Sequence, residues 1–283
     1  MLAPRQPAMY TPASPADERR MRTAQDYAAA RLAVTVVTAP VWGWHGRTIG
    51  AQVTAREGIG WLRVLCTPIH KRGGRQWTGT ADADAALPDI PKPRLLRAVD
   101  WDDAPYAYRG ELTEFVCEPI CSAQPTLTHE LVLPETWWRT LRNDLDKVAA
   151  VTTGRISLPQ DFIDWLLPIY LGPGVDTTVL SWTTAHCDCH WANLTLHRPL
   201  LLDWEDWGLA PTGLDAAMLY TYALLAPATA VKVRAAFTDL LDTASGLYAQ
   251  LLVLALLLRT TADGDNLDLA PALHARRQQL LTG

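Results

Sequence analysis

The chain has 283 residues, 49% hydrophobic and 19% charged, with a formal net charge of −5. That length sustains one large unit or two smaller ones with a real core, and the composition excludes a disordered or fibrous chain. A pI near 5.8 leaves no basic footprint for a nucleic acid, and 20 Pro with 17 Gly argue against a plain helix bundle.

In chain order, residues 1–14 are rich in Pro and Ala and read as a flexible leader without an apolar signal core. Ser14-Pro15 then opens a helical pattern to Arg31, with Ser14 as N-cap. β-Branched residues at 34–37, a loop at 42–48 holding Gly43 and Gly46, and runs at 49–55 and 61–66 read as an antiparallel meander. A short helix is expected over 80–87, followed by strands over 94–101 and 106–117 and a linker over 118–122. Beyond the linker, apolar residues recur at three- and four-residue intervals over 137–152, 158–171, 214–225 and 231–258, which predicts helices. Short strand-like runs interrupt at 194–196 and 200–202. The expected architecture is α+β: a five-stranded antiparallel sheet in residues 1–117 and a mainly helical part in 118–283, with a cleft between the two.

Charge divides the chain the same way. Residues 1–118 carry 15 Lys and Arg against 13 Asp and Glu; residues 119–283 carry 10 against 17. An acidic second half suits either a cationic ligand or simple solubility. The five cysteines, Cys66, Cys117, Cys121, Cys187 and Cys189, form no disulfide framework, so a reducing cytoplasm is expected. The most apolar stretch, 247–258, contains Gln250 and is too short to cross a bilayer, so it reads as a buried core helix. Neither a membrane nor a protein partner is implied.

The chemistry concentrates in His186-Cys187-Asp188-Cys189-His190-Trp191-Ala192-Asn193, followed by an apolar run ending at Asp203. Phosphoryl transfer needs a carboxylate beside the attacking hydroxyl, a neutral oxygen ligand for Mg2+ and a charged carboxylate ligand for the same metal. Asp188, Asn193 and Asp203 supply these three in the order and spacing of a kinase catalytic loop. A rival reading takes His186, Cys187, Cys189 and His190 as zinc ligands. Four soft ligands within five residues cannot all reach one tetrahedral ion, and no second pair lies elsewhere at ligand spacing.

HCDCHWAN, together with LLLDWEDWGLAPTGLDAA, resembles the aminoglycoside phosphotransferase and choline kinase family of small-molecule kinases. The resemblance implies a bilobal protein-kinase-like fold with residues 1–117 as the nucleotide-binding lobe and 118–283 as the catalytic and acceptor-binding lobe. It implies Asp188 as the catalytic carboxylate, Asn193 and Asp203 as Mg2+ ligands, and ATP or GTP as co-substrate. Asp215 would support the loop, although it equally suits an N-cap for the helix that follows. Arg63 stands where the family has a nucleotide-binding Lys, and Gly43 and Gly46 would let the 42–48 loop approach phosphates. Phe115 and Cys117 would flank the purine. A Glu to pair with Arg63 is missing from the 80–87 helix, leaving Asp82 or Asp84 as short substitutes, while a solvent-facing Arg63 is the plainer alternative.

The expected activity is phosphoryl transfer from ATP or GTP to a hydroxyl of a small cationic acceptor, such as an amino-sugar. Asp161, Asp164, Glu205 and Asp206 are candidates to line that acceptor's site, although Asp161 and Asp164 equally suit a solvated helix face. Trp165, Trp182, Trp191, Trp204 and Trp207 could stack on a sugar or ammonium, or simply fill the core. The alternative reading is a kinase-like binding module with little or no phosphotransfer.

Overall fold

The computed structural model describes residues 8–282 and divides the chain into two compact units, 1–84 with 93–117 and 85–92 with 118–283.

In the first unit, Ser14 caps helix α1 (Pro15–Arg31), its hydroxyl accepting from the Asp17 N–H at 3.1 Å, with Pro15 at the first helical position. Met21, Ala24, Gln25, Ala28 and Ala29 form the buried stripe of α1. It lies on a sheet of six strands rather than the expected five. The first expected run, 34–37, is β1 (Thr35–Val36), and the extra strand is β2 (Val41–Trp42) beyond it, both paired with β3 (Thr48–Ala55). Two residues, Arg56 and Glu57, then turn the chain into β4 (Gly58–Pro68). β5 (Leu95–Asp103) and β6 (Tyr106–Glu114) complete an antiparallel sheet in the order β1-β3-β4-β6-β5, β2 also lying on β3.

The alternation of β4 gives the sheet two different faces. Leu62, Val64 and Cys66 join Met21, Ile49, Val53, Tyr108 and Leu112 in a hydrophobic core under α1. On the other face Leu65 meets Ala107 and Trp77 of helix α2 (Arg75–Ala86), which begins five residues before the expected start at 80. Arg63 shares that second face.

The expected leader takes two forms. Residues 1–7 lie outside the described residues, whereas Ala8–Tyr10 forms a 3-10 turn packed on a second 3-10 turn, Trp44–Gly46. Gly46 has φ +66°, and a Cβ there would stand 2.6 Å from Pro12 Cα. Replacing Gly46 by Ala therefore combines left-handed strain with a backbone clash. We expect a loss of about 1–3 kcal/mol, read as a lower thermal midpoint. An unchanged midpoint would show that the segment around Pro12 does not hold this turn.

The second unit is mainly helical: α3 (Glu135–Ala149), α4 (Gln160–Leu171) and α5 (Leu214–Thr221) lie near their predicted places. The run 231–258 is not continuous. It breaks into α6 (Pro227–Ala236), α7 (Thr238–Leu241) and α8 (Ala244–Ala262), because Thr243 caps α8 by accepting from the Gly246 N–H at 3.0 Å. A ninth helix, α9 (Ala270–Thr282), was not anticipated. By length and composition α8 could span a membrane, yet it packs against α4, α5, α7 and α9. Its buried Gln250 donates to Leu241 O and accepts from Arg276.

Two four-residue strands, β7 (Trp182–Ala185) and β8 (Gly208–Pro211), pair antiparallel and were also missed. They close the loop that carries the motif residues. The expected strand over 200–202 is a narrow hairpin instead, with one bridge, Leu194↔Leu201, and Leu202 N–H donating to Asn193 O at 2.9 Å.

Candidate active site

Ala185 pairs with Gly208, so His186 leaves β7 just where Trp207 enters β8. The loop between is held by its own polar atoms. Asn193 Nδ2 donates to Asp188 Oδ2 at 2.8 Å and to Asp188 O at 3.0 Å. These bonds run through Nδ2, which leaves the amide Oδ1 as the atom able to meet a cation. The bond from Leu202 N–H to Asn193 O brings Asn193 alongside the residue preceding Asp203. Asp203 is exposed and has φ +59°, a left-handed conformation uncommon outside Gly, Asn and Asp.

His186 is fully buried between the two halves of the motif. Its Nε2 donates to Leu202 O at 2.9 Å, and its Nδ1 accepts from the Asp188 N–H at 3.3 Å. Burial pushes its pKa down to about 4, consistent with a neutral ring in this role. With both ring nitrogens engaged, His186 does not serve as a zinc ligand. Among the described residues no three His, Cys, Asp or Glu side chains are placed to hold a metal by themselves. A hard cation such as Mg2+ needs no such cage, since one or two carboxylates and the substrate phosphates suffice. Cys189 is buried and its thiol pKa is raised well above the usual range by desolvation, in keeping with a packing role.

His190 lies 3.4 Å from Asp188 Oδ2. Burial opposes protonation of His190, but the charges of Asp188 and Asp203 and the contact with Asp188 carry its pKa above the ordinary value. Burial likewise works against ionised Asp188. The His190 charge and contact, His186 and the Asn193 hydrogen bond outweigh it and hold the carboxyl below its usual pKa. Asp188 is therefore a charged acceptor at neutral pH.

Asp215 sits in the first turn of α5 but is not its cap, since Gly213 holds that position without a side-chain bond. Instead its carboxylate accepts from the His186 N–H at 2.7 Å and the Cys187 N–H at 2.9 Å. Cys187 has φ +66°, so this buried carboxylate holds a strained corner of the loop. Burial raises the Asp215 pKa to about 6, with the neighbouring Asp188 adding to the shift and the two N–H bonds opposing it.

Arg155 lies between α3 and α4 and was not singled out from the sequence. Its Nε donates to Trp207 O and its Nη2 to Glu205 O, both at 2.6 Å. Its own carbonyl accepts from the Leu209 N–H, and a Cβ on Gly208 would stand 2.5 Å from that oxygen. Glu205 itself is buried, which removes it as a carboxylate displayed to an acceptor; Asp206 is half-buried. Asp161 and Asp164 are exposed in the first two turns of α4, where Asp164 accepts from Gln160 and Asp161 from the Phe162 N–H. Their exposure suits a solvated helix face and equally leaves both carboxylates accessible. Trp191, Trp204 and Trp207 are core residues, whereas Trp165 and Trp182 are exposed.

In the first unit, Arg63 is not a solvent-facing side chain. It lies opposite Glu111 in the β4–β6 register and forms an ion pair at 3.6 Å with it, both side chains largely buried. Glu111 also accepts from Arg109 at 2.8 Å and from Thr80 of α2 at 2.9 Å. The acidic partner of Arg63 is thus on a strand and not on the helix. Gly43 and Gly46 have explanations inside this unit: a Cβ at Gly43 would collide with Thr48 Oγ1, and one at Gly46 with Pro12. Phe115 and Cys117 follow β6 outside any strand, since the ladder stops at Glu114; the expected strand to 117 is shorter by three residues.

No family model and no curated protein matches this sequence. Solved structures do. An amicoumacin kinase in complex with AMP-PNP, Ca2+ and Ami is 13% identical with a TM-score of 0.56, covering 94% of this chain and 96% of that one. The aminoglycoside phosphotransferase APH(3'')-Id from Streptomyces rimosus is 16% identical with a TM-score of 0.52, covering 83% and 97%. The spectinomycin phosphotransferase APH(9)-Ia, in complex with ADP and spectinomycin, is 10% identical with a TM-score of 0.51, covering 83% and 84%. At such identities the likeness is one of architecture, and the chain has the protein-kinase-like α+β fold found in these small-molecule phosphotransferases.

Proposed function

We propose that this chain is an O-phosphotransferase that moves the γ-phosphate of ATP or GTP to a hydroxyl of a small, cationic acceptor. One observation carries the reading: ionised Asp188 is hydrogen-bonded to Asn193, whose backbone is tied to the residue before Asp203. A proton acceptor and two oxygen donors of the kinds phosphoryl transfer needs are thereby gathered in one loop. The fold shared with antibiotic phosphotransferases supports it.

In this mechanism Asp188 orients the acceptor hydroxyl and takes its proton as the new O–P bond forms and the bond to the β-phosphate breaks. The Asn193 amide oxygen and the Asp203 carboxylate would hold a divalent cation, Mg2+ in the first instance, which neutralises phosphate charge when bound. Arg63, paired with Glu111, takes the part of the nucleotide-binding cation, and the backbone beside Phe115 and Cys117 meets the purine. Asp161, Asp164 and Asp206 remain the carboxylates available to a cationic acceptor. The Arg63–Glu111 pair also weighs against a disabled binding module, because the acid that seemed missing is present on β6.

Thermal shift with ATP and with GTP, each with Mg2+, tests the reading. At a nucleotide concentration 100-fold above Kd the native state gains about 2.7 kcal/mol. Most of that gain should vanish in Asp203→Ala. Failure of both nucleotides to stabilise the wild-type protein would sink the proposal.

A further inference from the structure

The Asp203 segment is held by its main chain from both sides. Upstream, the Leu202 carbonyl accepts from buried His186 and the Leu202 N–H donates to Asn193 O. Downstream, the two prongs of the Arg155 guanidinium reach the carbonyls of Glu205 and Trp207, and its Cζ lies over the Trp207 ring, 5.4 Å from the centroid. Arg155 is itself fixed beside β8. Ile156 bridges Leu209 in parallel, Ser157 N–H donates to Leu209 O at 2.9 Å, and Leu209 N–H donates to Arg155 O at 2.6 Å. Gly208, at φ +154°, permits this approach. Between the two grips stands Asp203 at φ +59°.

We propose that Arg155 is a positioning residue for Asp203: by gripping the carbonyls of Glu205 and Trp207 it fixes the turn that presents the Asp203 carboxylate to a divalent cation. A planar fork with parallel N–H groups spans two carbonyls at once, whereas the ammonium of Lys is a point donor and cannot reproduce that span. Without the fork, the turn relaxes toward an ordinary φ at Asp203, and the carboxylate leaves the place that the turn gives it. The inference rests on the phosphotransferase reading, because it takes Asp203 as a cation ligand.

The test measures Mn2+ binding by electron paramagnetic resonance in the presence of a non-hydrolysable ATP analogue, alongside steady-state kinetics. Arg155→Lys keeps the charge and the aliphatic stem. It should weaken Mn2+ binding by about 10-fold or more, the scale expected when a group supporting a metal ligand is lost. The acceptor KM should hardly change. Arg155→Ala, read with and without millimolar guanidinium, should recover Mn2+ affinity when guanidinium is added, so a folding defect in one variant does not hide the answer in the other. Wild-type Mn2+ affinity in Arg155→Lys, or no rescue in a folded Arg155→Ala, overturns the inference while leaving the function standing. Absence of nucleotide-dependent Mn2+ binding in the wild type overturns both.

Discussion

Replacing Asp188 by Asn is expected to lower kcat by about 10²–10⁴-fold, the usual worth of a positioned general base, with nucleotide affinity essentially unchanged. The two effects separate because of where the side chain's bonds go. Asp188 Oδ2 accepts from Asn193 Nδ2 and lies near His190, and Asn at 188 retains a carbonyl oxygen for the first of these. The loop should therefore keep its shape while losing its proton acceptor. Turnover in a coupled assay and nucleotide binding by calorimetry check the two halves independently. Unimpaired turnover would mean that the motif has been misread, and lost nucleotide binding would mean that Asp188 holds the loop rather than the proton.

Asp215→Ala has the largest expected effect on stability. It leaves the N–H groups of His186 and Cys187 buried without their acceptor, at about 1–3 kcal/mol each. The pH dependence has a definite sign. Burial raises the folded-state pKa of Asp215 from 3.8 to about 6, so the folded chain holds this proton more tightly than the unfolded one. Stability from this group is complete below pH 3.8 and declines as pH rises through 6, by about 3 kcal/mol at 1.36 kcal/mol per pKa unit. The variant lacks that decline. The penalty of Asp215→Ala should consequently be greater at pH 5 than at pH 8, by about 1–2 kcal/mol in urea unfolding. A penalty that grows toward pH 8 would show that the ionised carboxylate is the favoured form in the folded loop.

What could be read from the sequence was contiguous in it. Asp188, Asn193 and Asp203 lie within one short stretch that is tied by its own hydrogen bonds, so their spacing alone singled them out as candidates. The α1 cap was legible for the same reason, since Ser14 acts on Asp17. Arg155 and Glu111 were not legible, because each acts on residues distant in the chain. The partnership of Glu111 with Arg63 follows from the β4–β6 register, and that of Arg155 with residues 205 and 207 follows from where the 155–158 segment meets β8. β7 and β8 are too short for alternation to stand out. The break before α8 did leave a mark in Thr243 and Gly246, but the surrounding leucines masked it.

The Arg155 fork takes hold of oxygen atoms that every amino acid carries. Such a grip does not itself depend on which side chain stands at the residue it spans, so neither of its two bonds is lost when residue 206 is changed. On the proposed function, a change at 206 alters what an acceptor meets while the main-chain bonds that set the turn around Asp203 stay available.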